Sequence, residues 1–117
     1  MQFGVNLLLL NGTVGPSVRR WFARIAEMGF GGVEVPVFDP RSVPVEAIRR
    51  AADRHGLRIT VSGALPAGAR WYGADTGARR RAERYLRDTI AVASRLGSPV
   101  ICGPLYKSVG DFDDSVS

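Results

Sequence analysis

Several chemically useful residue types are almost missing from this 117-residue sequence, which has one cysteine (Cys102), one histidine (His55) and one lysine (Lys107). A lone cysteine excludes an internal disulfide framework and a cysteine-ligated zinc site, so nothing in the chain calls for an oxidising compartment. Long apolar runs are also lacking. Asn6 to Leu10 is too short to span a bilayer and has no basic segment before it, so neither secretion nor membrane insertion is expected and the cytoplasm is the expected compartment. A phosphate-binding loop is absent too. Asn11-Gly12-Thr13-Val14-Gly15 lacks the G-x-G-x-x-G spacing and no Walker lysine follows, which argues against a dinucleotide or ATP fold.

What the chain has in excess is arginine. Fifteen arginines and one lysine face eleven acids, for a formal charge of +5 and a pI near 10.3. Such a balance raises nucleic acid as a partner. The arginines, however, are spread over three helical segments and no loop concentrates them, so a solvated outer surface is the reading and nucleic acid is not expected. The 45% hydrophobic and 23% charged content fits one small globular domain.

Hydrophobic periodicity divides the chain into alternating strands and helices. Phe3 to Leu9 is an apolar run closed by Asn11-Gly12, a first strand with a turn signal. Val18, Trp21, Phe22, Ile25 and Met28 recur at helical spacing before Gly29. Gly32 to Val37 reads as a second strand, with Pro36 confined to its end because proline cannot donate into a ladder. Ser42 is expected to cap a second helix with Pro44 in its first turn, running through Ile48, Ala51 and Ala52 and stopping before Gly56. Leu57 to Val61 is a third strand. Asp75 or Thr76 caps the longest helix, with an expected apolar stripe of Ala82, Leu86 (with Tyr85), Ile90, Ala93 and Leu96, and Gly97 ends it. Pro99 to Cys102 is a fourth strand. The order β-α-β-α-β-α-β specifies an α/β fold with a parallel sheet and helical crossovers.

Four phrases carry a family resemblance. Phe3-Gly-Val-Asn-Leu-Leu-Leu-Leu10, Gly29-Phe-Gly-Gly-Val-Glu-Val-Pro36, Thr60-Val-Ser-Gly-Ala-Leu-Pro66 and Gly97-Ser-Pro-Val-Ile-Cys-Gly-Pro-Leu105 resemble the first four strand ends of the D-tagatose and D-psicose 3-epimerases. These are sugar isomerases with a xylose-isomerase-like barrel. The resemblance implies a (β/α)8 TIM barrel with its site at the C-terminal strand ends, one divalent metal (Mn, Co or Mg), and proton exchange beside a ketose carbonyl. It also places the two exchanging glutamates and the other metal ligands on later strands. A complete barrel needs roughly 250 residues, so the chain is expected to be the N-terminal half, four strands and three helices, incomplete and inactive alone. Residues 1–106 are the expected partial barrel, and 107–117 a polar acidic tail.

No catalytic residue and no metal ligand is assigned to this chain. By resemblance, the expected sugar-lining residues are Asn6 and Leu10 after the first strand, Glu34 in the second, Ser62 and Gly63 ending the third, and Gly103, Pro104 and Tyr106 after the fourth. The family often carries an aromatic where Leu10 stands. Glu34 has two readings, a sugar-contacting carboxylate at the barrel mouth or a salt bridge to a neighbouring arginine. Gly63 is either a close-approach residue or a simple turn glycine. Cys102 reads as a small buried strand residue, His55 as a cation at a helix C-terminus, and Asp111, Asp113 and Asp114 as a solvated end. A small sugar is the expected ligand of the complete enzyme, and self-association or a missing C-terminal half the expected partner. Within the same family, hydroxypyruvate isomerase-like or inosose dehydratase-like chemistry is an alternative. So, from other classes, are a non-catalytic assembly half-barrel and a truncated gene product. In an open half, one alternate set of strand residues would be left uncovered, either Val5, Leu7, Val33, Ile59, Val61 and Ile101 or their neighbours, and an apolar set would demand a partner.

Overall fold

The computed structural model describes residues 1–9 and 18–111. Among them the chain forms β1 (Gly4–Asn6), α1 (Val18–Glu27), β2 (Gly32–Val37), α2 (Val45–Arg54), β3 (Arg58–Gly63), α3 (Thr76–Leu96) and β4 (Ile101–Cys102). The four strands are parallel and lie in the order β1-β2-β3-β4. The register aligns Asn6, Glu34 and Thr60 across the first three strands, and Ser62 with Cys102 across the last two. Among the described residues the sheet is open, and β1 and β4 each have one neighbour. This is the arrangement of the N-terminal half of a TIM barrel.

Strand alternation divides the residues between two faces. Val33, Val35 and Val37 of β2, with Ile59 and Val61 of β3, point to the helices and are buried. They pack on Phe22 and Ile25 of α1, Ile48, Ala51 and Ala52 of α2, and Val92, Ala93 and Leu96 of α3. Each fully buried aliphatic side chain contributes about 1.5–3 kcal/mol of transfer free energy, so this layer holds sheet and helices together. The alternate set lies on the opposite, concave face. The uncovered face is therefore the polar one, built from Asn6, Glu34, Thr60, Ser62 and Cys102, which resolves the question of which strand residues lack a cover.

Local chemistry moves several boundaries from their expected places. β1 is shorter than Phe3 to Leu9 because Asn6 Oδ1 accepts from Leu8 N at 2.8 Å and bends Leu7–Leu9 into a 3-10 turn. Ser42 does not cap α2. It ends a 3-10 turn, Pro40–Ser42, whose cap is Asp39, and α2 begins after Pro44 with no side-chain cap. Pro44 disfavours helical geometry at the residue before it, and Val43 is extended. β3 runs from Arg58 to Gly63, so Leu57 precedes it, and β4 begins only at Ile101. Pro36 is the penultimate residue of β2, beyond the last pair with β1. Met28 is exposed, since α1 ends at Glu27.

The buried stripe of α3 is rotated from the expected one. Ala78, Ala82, Tyr85, Thr89, Val92, Ala93 and Leu96 face inward, while Leu86 is half-buried and Ile90 is 51% exposed. The cause is Tyr85, whose hydroxyl reaches the ends of β2 and β3 and fixes the helix about its axis. Asp75 caps α3 through Ala78 N at 3.1 Å, and Gly97 ends it in the left-handed region at φ 76°.

Candidate functional site

On the concave face the side chains converge on one carboxylate. Glu34 Oε1 accepts from Asn6 Nδ2 at 2.7 Å, while Oε2 is approached by Thr60 Oγ1 and Cys102 Sγ, each at 3.5 Å. One residue from every strand thus meets at Glu34. Asn6 is fixed at both ends of its amide, because its oxygen holds the Leu7–Leu9 turn while its nitrogen donates to Glu34. The carboxylate remains half-buried and open to the concave side. Partial burial of the Cys102 sulfur, then the charge of Glu34 and its hydrogen bond, raise the thiol pKa above its ordinary 9.0. A thiol so placed is held protonated, as a donor to the carboxylate.

A second constellation lies at the C-terminal ends of the strands. The Tyr85 hydroxyl donates to Val37 O at 2.5 Å and accepts from Ala64 N at 3.1 Å, joining the ends of β2 and β3. Burial raises its pKa above the ordinary 10.0, against a smaller lowering by the Ala64 N–H. Gly63 lies beneath that hydroxyl, and a Cβ there would collide with it. Gly103, at φ 132°, brings the chain leaving β4 onto Gly63, where any Cβ would overlap the Gly63 carbonyl. Two glycines therefore set the approach of β3 to β4 at the rim, and Gly63 is more than a turn residue.

The loop after β3 and the segment after β4 dock on one another to wall this rim. Trp71 Nε1 donates to Leu105 O at 2.6 Å, Leu65 N to Pro104 O at 3.4 Å, and Arg70 pairs with Asp111 at 2.7 Å. Bridges join Leu65 to Ser108 and Arg70 to Lys107. Between Phe38, the 64–68 loop and residues 108–111 lies an open groove of about 570 Å³.

Of the sugar-lining residues expected from sequence, Asn6 and Glu34 are bonded to each other, Ser62 pairs with Cys102 one step above, and Gly63 and Gly103 are in contact. Pro104 is held by Leu65, and Tyr106 is 64% exposed. Leu10 lies outside the described residues, as do Asp113 and Asp114. Glu34 makes no ion pair with an arginine among the described residues; its partners are Asn6, Thr60 and Cys102. Cys102 is exposed on the concave face, contrary to its expected burial, because β4 is the edge strand among the described residues. Neither Thr60, in the third strand-end phrase, nor Tyr85, beside Leu86 in the helical stripe, was expected to carry function. Strand alternation from Ser62 would have placed Thr60, whereas Tyr85 carries no local signal of its long-range bonds.

Among the described residues, no group of three His, Cys, Asp or Glu could hold a metal ion. Of the described His, Cys, Asp and Glu residues, Cys102 is the one bonded to Glu34, and its thiol donates to the carboxylate. These residues do not make a divalent metal site.

The sequence pattern of the xylose isomerase-like TIM barrels matches residues 22–114. The chain belongs to that family. A ketose 3-epimerase of Arthrobacter globiformis is 27% identical over 110 residues, covering 93% of this chain and 38% of that protein. A D-allulose 3-epimerase from Methylomonas sp., solved with D-allulose, superposes with a TM-score of 0.89 at 23% identity, over 100% of this chain and 41% of that one. An L-ribulose 3-epimerase superposes at 0.81 with 25% identity, over 92% and 37% respectively. The chain thus spans about two fifths of the length of these relatives. No helix among the described residues is long and apolar enough to cross a membrane.

Proposed function

We propose that this chain supplies the first four strands of a ketose 3-epimerase-like isomerase, and that it positions a sugar whose proton exchange is carried out by residues of the other half. The match to a ketose 3-epimerase over 110 residues carries the reading, and the Glu34 network gives it a chemical basis. A carboxylate held by donors from three strands is a rigid acceptor for sugar hydroxyls. Asn6, Leu10, Glu34, Ser62, Gly63, Gly103, Pro104 and Tyr106 form this chain's share of the sugar site. Dependence on Mn, Co or Mg belongs to the complete enzyme in this reading, with the ligands on the later strands. A cytoplasmic location belongs to it as well, supported by the free thiol of Cys102.

The test is an epimerisation assay with D-fructose, D-tagatose and D-allulose in the presence of Mn²⁺. The chain alone is expected to leave all three unchanged. The chain joined by the C-terminal part of the Arthrobacter globiformis ketose 3-epimerase is expected to interconvert C3 epimers. Turnover by the chain alone overturns the division of labour, and a formed complex that epimerises none of the three overturns the substrate class.

A further inference from the structure

The two oxygens of Glu34 are held differently. Oε1 accepts from Asn6 Nδ2 at 2.7 Å, the length of a charge-assisted bond, whereas Thr60 Oγ1 and Cys102 Sγ each stand 3.5 Å from Oε2. A hydroxyl bonded to a carboxylate normally lies about 2.5–2.7 Å away, so the Thr60 contact is long and weak. The thiol is a weak donor even at its best distance. Oε1 is therefore anchored, while Oε2 is an acceptor with capacity left.

The three donors also differ in what their release would cost. Asn6 uses the other end of its amide to accept from Leu8 N at 2.8 Å, so pulling it from Oε1 would disturb the Leu7–Leu9 turn as well. Cys102 has a second acceptor within reach, Val61 O at 3.8 Å. Thr60 is half-buried and Cys102 exposed, so a hydroxyl or thiol released from Oε2 can turn to another acceptor or to solvent without being orphaned. The side of the carboxylate that is loosely held is thus also the side that can be vacated.

We propose that Oε2 of Glu34 is the atom that receives a ligand hydroxyl, and that Thr60 and Cys102 are resident donors which that hydroxyl displaces, while Asn6 and Oε1 stay bonded. These two residues then set affinity by competing with the ligand, whose being a ketose rests on the epimerase-like reading. A sugar O–H that replaces a 3.5 Å contact gains a short charge-assisted bond, so weak resident donors favour its entry. A contact that merely supported the site would behave in the opposite way, and its removal would weaken binding. The sign of the effect separates a displaced donor from a supporting one.

Nuclear magnetic resonance of the isotope-labelled chain, titrated with D-allulose, D-fructose and D-tagatose, tests this directly. In the wild type the ketose that binds is expected to shift the amide signals of Glu34, Thr60 and Cys102. Thr60→Val and Cys102→Ala, which clear Oε2 of its resident donors, are each expected to tighten binding by about threefold. Asn6→Ala, which frees the anchored oxygen, is expected to weaken it by about tenfold. Circular dichroism of each variant establishes that it is folded, and the Thr60 and Cys102 variants carry the test where Asn6→Ala is not. If either Thr60→Val or Cys102→Ala fails to tighten binding, or a folded Asn6→Ala binds as well as the wild type, the proposal is overturned and the sugar reading stands. If none of the three ketoses shifts these signals in the wild type, the sugar reading falls and the proposal with it.

Discussion

Replacing Tyr85 with phenylalanine removes one oxygen and orphans two backbone groups. Val37 O, on a fully buried residue, loses its 2.5 Å donor, and Ala64 N, half-buried, loses its 3.1 Å acceptor. A buried polar group left unpaired costs about 1–3 kcal/mol. With about 2 kcal/mol for Val37 O and about 1 kcal/mol for the half-buried Ala64 N, Tyr85→Phe is expected to destabilise the chain by about 3 kcal/mol. For a urea m-value of about 1.5 kcal/mol/M, the unfolding midpoint falls by about 2 M with m unchanged. Alkaline pH supplies a check on sign. The folded phenol titrates above its ordinary 10.0, so the stability it contributes is complete below that value and is lost as the pH rises through the folded pKa. The gap between wild type and Tyr85→Phe therefore narrows at high pH. Gly63→Ala provides a coupled test, since its methyl collides with the hydroxyl and not with a phenylalanine edge. It is expected to cost less in the Tyr85→Phe background than in the wild type. A Tyr85→Phe cost under about 0.5 kcal/mol, or additive behaviour with Gly63→Ala, refutes the claim that this hydroxyl ties the ends of β2 and β3.

Three shorter predictions test other links. Asp75→Ala removes the α3 cap and should cost about 1 kcal/mol in urea unfolding, with Asp75→Asn retaining most of it. Gly103→Ala places a methyl on the Gly63 carbonyl at a φ that side chains rarely adopt; hydrogen exchange should show lost protection at Gly63 to Leu65, with a stability loss of about 3 kcal/mol. Glu34→Gln removes the charge that helps hold the Cys102 thiol protonated, so alkylation of Cys102 by iodoacetamide at pH 8 should be faster than in wild type.

The strands and helices were legible because their signals are local and periodic. Val33, Val35 and Val37 alternate with Glu34 and Pro36, and α3 opens on Asp75 and closes on Gly97, so pattern and end chemistry agree. Failures came where a distant partner decides the outcome. No neighbour in sequence tells Tyr85 to outrank Leu86 for the inward face; Val37 and Ala64 do so from 48 and 21 residues away. Asn6, Glu34, Ser62 and Gly103 are candidates through resemblance at strand ends. The bond from Asn6 to Glu34, and the convergence of Thr60 and Cys102 on the same carboxylate, require the register of four strands, which periodicity does not specify.

The two faces of the sheet divide stability from chemistry. The apolar cluster between sheet and helices is assembled wholly from residues of this chain, Phe22, Ile48, Val61 and Leu96 among them. The four described strands therefore keep this core, because it lies between the sheet and the helices and not on the polar face. That face carries a carboxylate already satisfied by Asn6, Thr60 and Cys102, so exposing it to water sacrifices little apolar burial. What the open face lacks is the opposite wall. A ligand bound at Glu34 would keep one side in water, where a hydrogen bond to a carboxylate competes with solvent and contributes less than in an enclosed site. In the proposed reading, folding is a property of these four strands and three helices, while tight sugar binding and proton exchange would require an enclosed site. A sugar affinity for the chain alone equal to that of the closed complex would contradict this division.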